Sequence, residues 1–481
     1  MNNTKIVYKT HSLCPECLNK IDAALISQRK STYIEKACPE HGIFKTIVWK
    51  GDIPIESWTR KKGKVQIKAP LSEAQRGCPF DCGLCSEHRQ HTCTALIEVT
   101  QNCNLNCSFC FASSNAGKAE NPSIADIKHM YESVKNTSGI CNIQLSGGEP
   151  TLRDDLPMLV KVGKNLGFNF IQLNTNGLRI AQDEEFVSAL KKADLDSIFL
   201  QFDGTEDYIY KKIRGTELLA IKIKAIENCE KYSIGVVLVP VLVPGINVDN
   251  IGEIIDFALK RIPTVRGVHF QPVSYFGRIP YTPHDDERIT LPEVMLEIEK
   301  QTNGRITAES LKPPGCENSL CSFHGSYIYL KNGELMKITG NSSCCGKNEK
   351  ADTALKKAKI RIKGSEPAAC DSQQSCCCNT ENPDEGSIKA KNYVSEKWAL
   401  WENSDNKNRS QSSKDSGWDE ILDSIHNNSF SLSAMAFQDV WNVDLERVKD
   451  CCIHVVNPQG KLIPFCLYNI TDANGHTLYR T

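Results

Sequence analysis

Cys103, Cys107 and Cys110 stand in the stretch Val99-Thr-Gln-Asn-Cys-Asn-Leu-Asn-Cys-Ser-Phe-Cys-Phe111, a three-two spacing that offers three thiolates. A cubane [4Fe-4S] cluster held by three thiolates keeps one iron open. An open iron can bind a small molecule and pass it an electron, whereas a fully ligated cluster only relays electrons. The competing reading is a structural zinc site, which takes paired Cys-x-x-Cys knuckles more often than a three-two run.

The elements that must hold this loop follow from the periodicity after Thr94. Apolar runs at Leu96 to Val99, Ile143 to Leu145, Phe168 to Leu173, Ile198 to Phe202, Val236 to Leu242 and Val268 to Phe270 have the length and composition of strands. Between them lie amphipathic segments such as Ile124, Ile127, Tyr131 and Val134, or Ile251, Ile254, Ile255 and Ala258, whose spacing sets apolar side chains on one helical face. Repeated β/α units of this kind make a parallel sheet with right-handed crossovers, and the number here predicts an incomplete barrel with helices outside. In such a barrel function collects where strands end and loops begin.

The strand ends are polar. Strand one runs into the Cys103 loop, strand two into Ser146-Gly-Gly-Glu-Pro150, strand three into Asn174-Thr-Asn-Gly177, strand four into Gln201-Phe-Asp203 and strand six into Gln271-Pro272. Gly147 and Gly148 would let a ligand approach the backbone closely, and Glu149 adds an acceptor for a ligand ammonium. Read alone, Gly-Gly-Glu is equally a strand-ending turn with a solvated carboxylate, and Asp203-Gly204 and Asn176-Gly177 are equally ordinary turns.

Together these residues resemble the radical S-adenosylmethionine (radical SAM) superfamily, over roughly Thr94 to Ser274. The resemblance implies a partial (β/α)6 radical SAM barrel in which the amine and carboxylate of SAM chelate the open iron. It also implies that the Gly147-Gly148-Glu149-Pro150 segment holds the amine, and that Phe109, the aromatic before the third cysteine, packs near adenine. By the same resemblance Asn174, Asn176, Gln201 and Asp203 are candidates for ribose, methionyl or substrate contacts, with Val268 and Gln271 near the adenine end.

The chain, 481 residues long, has room for two or three units, and 40% hydrophobic residues suit a globular protein. With 57 basic and 58 acidic residues there is no global drive toward nucleic acid or an anionic bilayer. The longest apolar stretch, Ile234 to Ile246, is broken by Pro240 and Pro244 and is too short for a transmembrane segment. No charged-then-apolar leader opens the chain, so its 23 cysteines read as thiolates of a reducing cytoplasm rather than as disulfides.

Those cysteines are grouped along the chain. In an N-terminal ribbon, residues 1–70, Cys14-Pro-Glu-Cys17 and Cys38-Pro-Glu-His41-Gly42 flank a strand-like Thr32-Tyr-Ile34 and would hold one zinc or a single iron, chiefly for structure. His41 is either the fourth ligand or a surface residue. In 71–93, Cys78, Cys82, Cys85 and Cys93 supply the four thiolates of an auxiliary [4Fe-4S] cluster, the rival being zinc with His88 or His91. The barrel occupies 94–300 and a hairpin region 301–347. A polar insertion, 348–417, contains Cys370-Asp-Ser-Gln-Gln-Ser-Cys-Cys-Cys378 and reads as solvated linker, while 418–481 returns to packed structure expected at the barrel mouth, so the C-terminal region is a Cys-rich α+β portion of an α/β protein. Cys316, Cys321 and Cys466 are candidate ligands of a further centre. The adjacent Cys344 and Cys345 suit thiol redox or radical chemistry and are candidate catalytic residues.

Read end to end, the order of segments is similar to the subgroup of tetraether lipid synthase and the methanopterin-modifying methyltransferases. The carrying residues are the two N-terminal knuckles, Gly77-Cys-Pro-Phe-Asp-Cys-Gly-Leu-Cys85, His91-Thr-Cys93, Ile463-Pro-Phe-Cys466 and Tyr468-Asn469. Cys321-Ser-Phe-His-Gly325, Met435-Ala-Phe-Gln438 and the Cys344-Cys345 pair look most like the branch of the radical SAM (seleno)protein TrsS, which implies a redox or sulfur-transfer role for that pair.

The expected activity is reductive cleavage of SAM to a 5'-deoxyadenosyl radical and hydrogen abstraction from an unactivated C-H bond, followed by carbon-carbon bond formation or methylation. Sulfur transfer or thiol-assisted radical chemistry is the second reading. A non-catalytic iron-sulfur carrier or metal-binding module would explain the cysteines but not Gly147 to Pro150 and Asn174 to Gly177 beside them. The expected partners are a small-molecule or lipid substrate and a low-potential electron donor such as ferredoxin or flavodoxin, under anaerobic conditions.

Overall fold

The computed structural model describes residues 4–60, 65, 67, 72–114, 120–338, 385–400 and 426–480. The N-terminal part is an antiparallel meander of β1 (Thr4–Leu13), β2 (Lys20–Gln28), β3 (Ser31–Cys38) and β4 (Gly42–Lys50). Residues on alternate positions of a strand share a face, so Tyr8, Thr10 and Ser12 of β1 all reach one neighbour. The Tyr8 and Thr10 hydroxyls donate to the Asp444 carboxylate, and Ser12 Oγ donates to the Val443 carbonyl at 2.5 Å.

Lys36, on β3, is 2% exposed and closes this joint. Its Nζ donates to Ser12 Oγ at 3.1 Å, the Leu13 carbonyl at 2.8 Å and the Val440 carbonyl at 2.6 Å. Replacing it by methionine leaves these buried acceptors without their donor, so Lys36→Met should cost about 1–3 kcal/mol, read as a lowered midpoint of thermal unfolding. A midpoint equal to wild type would show that the joint does not depend on the lysine.

The larger sheet is built on parallel strands. β5 (Thr94–Thr100), β6 (Asn142–Gly147), β7 (Ile171–Thr175), β8 (Ser197–Gln201), β9 (Gly235–Val239) and β11 (Val265–Pro272) lie in that spatial order, with β10 (Val241–Leu242) paired to β11. Each apolar run expected from the sequence overlaps one or two of them, with Phe168 to Phe170 preceding β7 and Phe202 following β8. The run from Val236 to Leu242 is divided between β9 and β10 at Pro240, which has no N–H for the ladder. Alternation sorts the side chains: Leu173, Ile198, Leu200, Leu238, Val268 and Phe270 are buried in the shell, whereas Asn174, Phe199, Gln201, His269 and Gln271 line the interior.

The crossover helices are α1 (Ile124–Ser138), α2 (Leu156–Asn165), α3 (Leu178–Gln182), α4 (Glu184–Lys192), α5 (Asp207–Arg214), α6 (Leu219–Lys231), α7 (Ile251–Leu259) and α8 (Leu291–Gln301). Helix α1 starts at a capping box in which Ser123 Oγ accepts from the Asp126 N–H and the Asp126 carboxylate accepts from the Ser123 N–H. Its buried face is Ile127, Met130, Tyr131 and Val134, the helical spacing read from the sequence.

The remaining strands are β12 (Ser322–Tyr329), β13 (Leu335–Lys337), β14 (Ser429–Met435), β15 (Ile453–Val456) and β16 (Leu462–Pro464). Two hairpins form, β12–β13 in the region the sequence marks as a hairpin and β15–β16 within 418–481. Residues 418–481 reach the barrel mouth, where Phe437 and Phe465 line the cavity and Phe465 lies 5.6 Å from Phe111, and their strands also extend the sheet. β14 adds parallel to β11 with β12 antiparallel beyond it, and β15 adds parallel to β5 on the opposite edge. An open six-strand barrel exposes two edges of unpaired backbone, and the C-terminal strands satisfy both.

Helix α9 (Glu385–Trp398) lies in the stretch whose polar composition predicts a linker. Ala390, Tyr393, Val394 and Trp398 nevertheless recur at helical spacing, and they line the barrel interior. The helix sits across the starts of the parallel strands: Asn142 Nδ2 donates to the Lys391 carbonyl at 3.2 Å, and Trp398 Nε1 donates to Ser431 Oγ at 3.2 Å. The barrel is thus closed at the end opposite the Cys103 loop. Among the described residues no helix is long and apolar enough to cross a membrane.

Candidate active site

The loop after β5 carries the cysteine triad to the rim. Cys110 is fixed by paired backbone hydrogen bonds with Arg278, at 3.0 Å each way, and Arg278 Nε donates to the Cys107 carbonyl at 2.9 Å. Gly277, with φ +55°, allows this approach, since a Cβ there would lie 2.6 Å from the Cys110 carbonyl oxygen. Cys103, Cys107 and Cys110 all face one cavity of about 450 Å³. Burial pushes the Cys103 thiol up to about 11, so holding it as a thiolate requires a cation.

Gly147 and Gly148 meet the triad loop from the side. A Cβ would stand 2.1 Å from the Thr100 carbonyl oxygen at Gly147 and 2.2 Å from that of Asn102 at Gly148. Their first role is therefore to let the end of β6 pack against the backbone of the cysteine loop, while both residues also line the cavity. The Glu149 carboxylate, 1% exposed, is anchored within the protein. Its Oε1 accepts from Thr151 N–H at 3.1 Å and from the Thr151 and Thr175 hydroxyls at 2.6 Å, and its Oε2 accepts from Asn176 N–H at 2.7 Å. Oε2 retains acceptor capacity.

The other rim residues separate. Asn176 Nδ2 donates to Asn104 Oδ1 at 2.7 Å, tying β7 to the triad loop, and Asn174 Nδ2 donates to Ser146 Oγ at 3.2 Å. Gln201 Oε1 is buried without a hydrogen-bond partner among the described residues and lines the cavity, which leaves it ready for a ligand donor. Phe109 lines the same cavity, edge-on to Tyr275 at 6.0 Å, and Gln271 does too. Val268 turns away into the shell. Asp203 does not line the cavity; its carboxylate holds Arg214 through two hydrogen bonds of 2.7 Å. Although burial alone would lower it, the Arg214 pKa is held above its ordinary value by Asp203 and by Cys107, which places a fixed positive charge beside a triad sulfur.

The other cysteines fall into separate sets. Cys14, Cys17, Cys38 and His41 present ligand atoms all within 4.8 Å of one another, the arrangement of one tetrahedral ion. Burial pushes the Cys14 thiol up to about 11, whereas at Cys38 burial is opposed by hydrogen bonds from the His41 ring, the Glu40 and His41 backbone and Cys14, which together bring it down to about 6. Loading this site displaces protons, so its affinity should fall as pH falls. Zinc release to a chromogenic chelator should accelerate from pH 8 to pH 6; a rate independent of pH would exclude thiolate ligation.

Cys78, Cys82 and Cys85 share a small recess with His88, as expected for that segment. Cys93 does not join them. It lies with Cys316 and Cys452, the Cys93 and Cys316 Sγ atoms 2.9 Å apart and all three within 4.8 Å. The reason is topological: Cys93 immediately precedes β5, and pairing of β5 with β15 sets its N–H 2.8 Å from the Cys452 carbonyl. Cys93 and Cys452 line the large cavity. Cys321, Cys451 and Cys466 are near enough to interact electrostatically, and burial pushes Cys466 up to about 12. Cys344, Cys345 and the Cys370 to Cys378 tract lie outside the described residues.

Arg214, Phe199, His269 and Ser433 also line the cavity and were not singled out by sequence reasoning. Part of the signal was present. Strand alternation puts Phe199 and His269 two residues before Gln201 and Gln271, on the same inward face.

A parallel partial barrel closed at its strand starts, with three cysteines on one loop of its open rim, defines an iron-sulfur enzyme of the α/β class. The model of the radical SAM superfamily matches residues 97–258, and that of the HMPTM N-terminal zinc ribbon domain matches residues 6–50. The 7,8-dihydro-6-hydroxymethylpterin dimethyltransferase of Methanocaldococcus jannaschii is 35% identical over 96% of this chain and 93% of its own length. A probable GTP 3',8-cyclase of Methanococcus aeolicus is 30% identical over 39% of this chain, which spans 62% of that protein. A crystal structure of SuiB from Streptococcus suis superposes with a TM-score of 0.38 at 18% identity, over 45% of this chain and 47% of that one.

The chain belongs to the radical SAM superfamily. It is an enzyme that uses a [4Fe-4S] cluster and SAM. When bound, the cluster supplies the electron that splits SAM into methionine and a 5'-deoxyadenosyl radical. The residues fit that pair of groups: three thiols converge on one cavity, Arg214 lies beside one of them, Cys107, and Gln201 Oε1 waits for a donor.

Proposed function

We propose that the radical abstracts hydrogen from an unactivated C-H bond of a small molecule in the 450 Å³ cavity, and that the carbon so activated is methylated or joined to another carbon. The observation that carries this reading is the similarity of almost the whole chain, ribbon and C-terminal strands included, to a protein named as a dimethyltransferase. In this reading Glu149 Oε2 and the backbone of Gly147 and Gly148 receive the methionyl amine. Gln201, Asn174 and Gln271 meet the adenosyl part, and Phe109 packs beside it. Asn176 and Asp203 act through the loop and the arginine that they hold.

The ribbon takes zinc. Cys78, Cys82 and Cys85 hold one auxiliary cluster, and Cys93, Cys316 and Cys452 hold another that faces the cavity. Iron analysis separates these sets: Cys82→Ala and Cys452→Ala should each lose about four iron atoms per chain, the content of one cubane, and the double variant about twice that. The electron donor is of the ferredoxin or flavodoxin class.

The test uses reconstituted protein, dithionite and SAM carrying a deuterated methyl group, with 7,8-dihydro-6-hydroxymethylpterin as the first substrate tried. Transfer of the labelled methyl group into product supports methylation. A product that gains sulfur and no labelled carbon favours the second reading, sulfur transfer, for which the specific observation is that Cys93 and Cys452 open on the cavity. Cys344 and Cys345 belong to that second reading as thiol participants.

A further inference from the structure

The inward side chains of the barrel form two layers, as strand alternation requires. Asn174, Gln201 and Gln271 make the layer beside the triad, and the layer beneath it, toward α9, has a different chemistry. His269 of β11 stands opposite Ser433 of β14, and Ser433 stands opposite His324 of β12, so three adjacent strands carry a His-Ser-His row. All three line the cavity. His269 Nδ1 lies 2.8 Å from Ser433 Oγ and shares one proton with it. Whichever atom holds that proton, Nε2 presents the opposite polarity to the one used at Nδ1.

The surroundings of His269 are uncharged. His269 is 7% exposed and Ser433 is 8% exposed. The His269 ring lies 5.5 Å from Phe199 and 5.8 Å from Trp398, and the His324 ring 5.5 Å from Tyr393. Across the barrel Gln144 Nε2 donates to Gln172 Oε1 at 3.1 Å, and Gln172 Nε2 donates to Ser197 Oγ at 3.2 Å, a ladder of neutral groups. Burial lowers both imidazole pKa values, His269 to about 4, so both rings are neutral at pH 7. Glu317 and Arg60 are the charged groups that act on His324, with opposing effects. No charged group acts on His269, whose shift is due to burial alone, so an anion placed beside it would lose its hydration with no cation to replace it, whereas an uncharged group with a donor beside an acceptor finds partners of both kinds.

We propose that His269, Ser433 and His324 form the anchoring subsite for the substrate, and that the subsite takes an uncharged amide-, lactam- or alcohol-type group backed by the Phe199 and Trp398 rings. This rests on the radical reading of the same cavity and adds to it the polarity of the substrate and the residues that select it. The site lies one layer below the adenosyl contacts, so a substrate anchored there presents its upper carbon toward the triad.

The experiment is equilibrium dialysis of the reconstituted holoenzyme with benzamide or benzoate, an uncharged and an anionic probe of the same shape. Saturating unreduced SAM is present, and bound probe is quantified by mass spectrometry. Benzamide should bind at least about tenfold tighter than benzoate, the effect of one well-made hydrogen bond plus desolvation. His269→Phe, which fills the same space without a polar edge, should weaken benzamide about tenfold, and His269→Gln, which restores a polar atom near Nε2, should recover most of that loss. Ser433→Ala should weaken it as well. Equal binding of the two probes, or benzamide binding unchanged in both His269→Phe and Ser433→Ala, overturns the proposal. Formation of 5'-deoxyadenosine by the wild-type protein, scored separately, decides the radical reading and does not depend on either probe.

Discussion

Cys107→Ala should abolish 5'-deoxyadenosine and methionine production from SAM and dithionite, a loss of about three orders of magnitude or more. The expectation rests on the position of this sulfur. Cys107 is 7% exposed, the most enclosed of the triad, and its carbonyl is held by Arg278 while its sulfur lies beside Arg214. Removing it leaves two thiolates for a cluster that needs three, with the Arg214 charge facing an empty corner. Anaerobic reconstitution with iron counting separates the outcomes. A variant that retains full iron and still cleaves SAM would show that another group, not Cys107, holds the cluster.

Asp203→Ala should be the most destabilising single change in the barrel, costing about 3–5 kcal/mol, because it leaves the Arg214 guanidinium buried without its carboxylate. The pair is enclosed on both sides, at 3% exposure for the arginine side chain and 0% for the aspartate. Both carboxylate oxygens are used, and Oδ1 also accepts from the Val241 N–H at 3.3 Å, linking β8 to β10. Replacing Asp203 and Arg214 together by leucine removes the unpaired charge and should recover part of the lost thermal stability. If the double variant melts no higher than Asp203→Ala, the cost lies in packing rather than in the stranded cation. Activity gives an independent reading, since the leucine pair leaves Cys107 without a neighbouring positive charge.

The barrel was legible because its signals are local. Short apolar runs marked each parallel strand, and the polar residues at strand ends marked the rim. The ribbon was legible for the same reason, since Cys14, Cys17, Cys38 and His41 are close in sequence as well as in space. The fate of Cys93 was not. Four cysteines within one short segment read as one cluster, yet Cys93 immediately precedes β5 and is carried to Cys452 by a strand pairing that bridges most of the chain. Asp203 was misread for a related reason: a strand-end carboxylate looks like a ligand until the arginine one helix later turns back to meet it. His269 and Ser433 are invisible in one dimension, because only the register of β11 against β14 makes them neighbours.

The placement of β14 and β15 on the two edges of the barrel also orders events at the ribosome. β5 and its partner β15 are separated by nearly the whole catalytic core, so the sheet cannot close until the last part of the chain has been synthesised. Until then both open edges and the mouth that will hold the cluster face the surrounding medium. The metal-binding ribbon at the N-terminus emerges first, and the segment that docks it, around Asp444, emerges near the end. A chain interrupted before β15 would therefore carry the complete cysteine triad without the strand that covers the β5 edge.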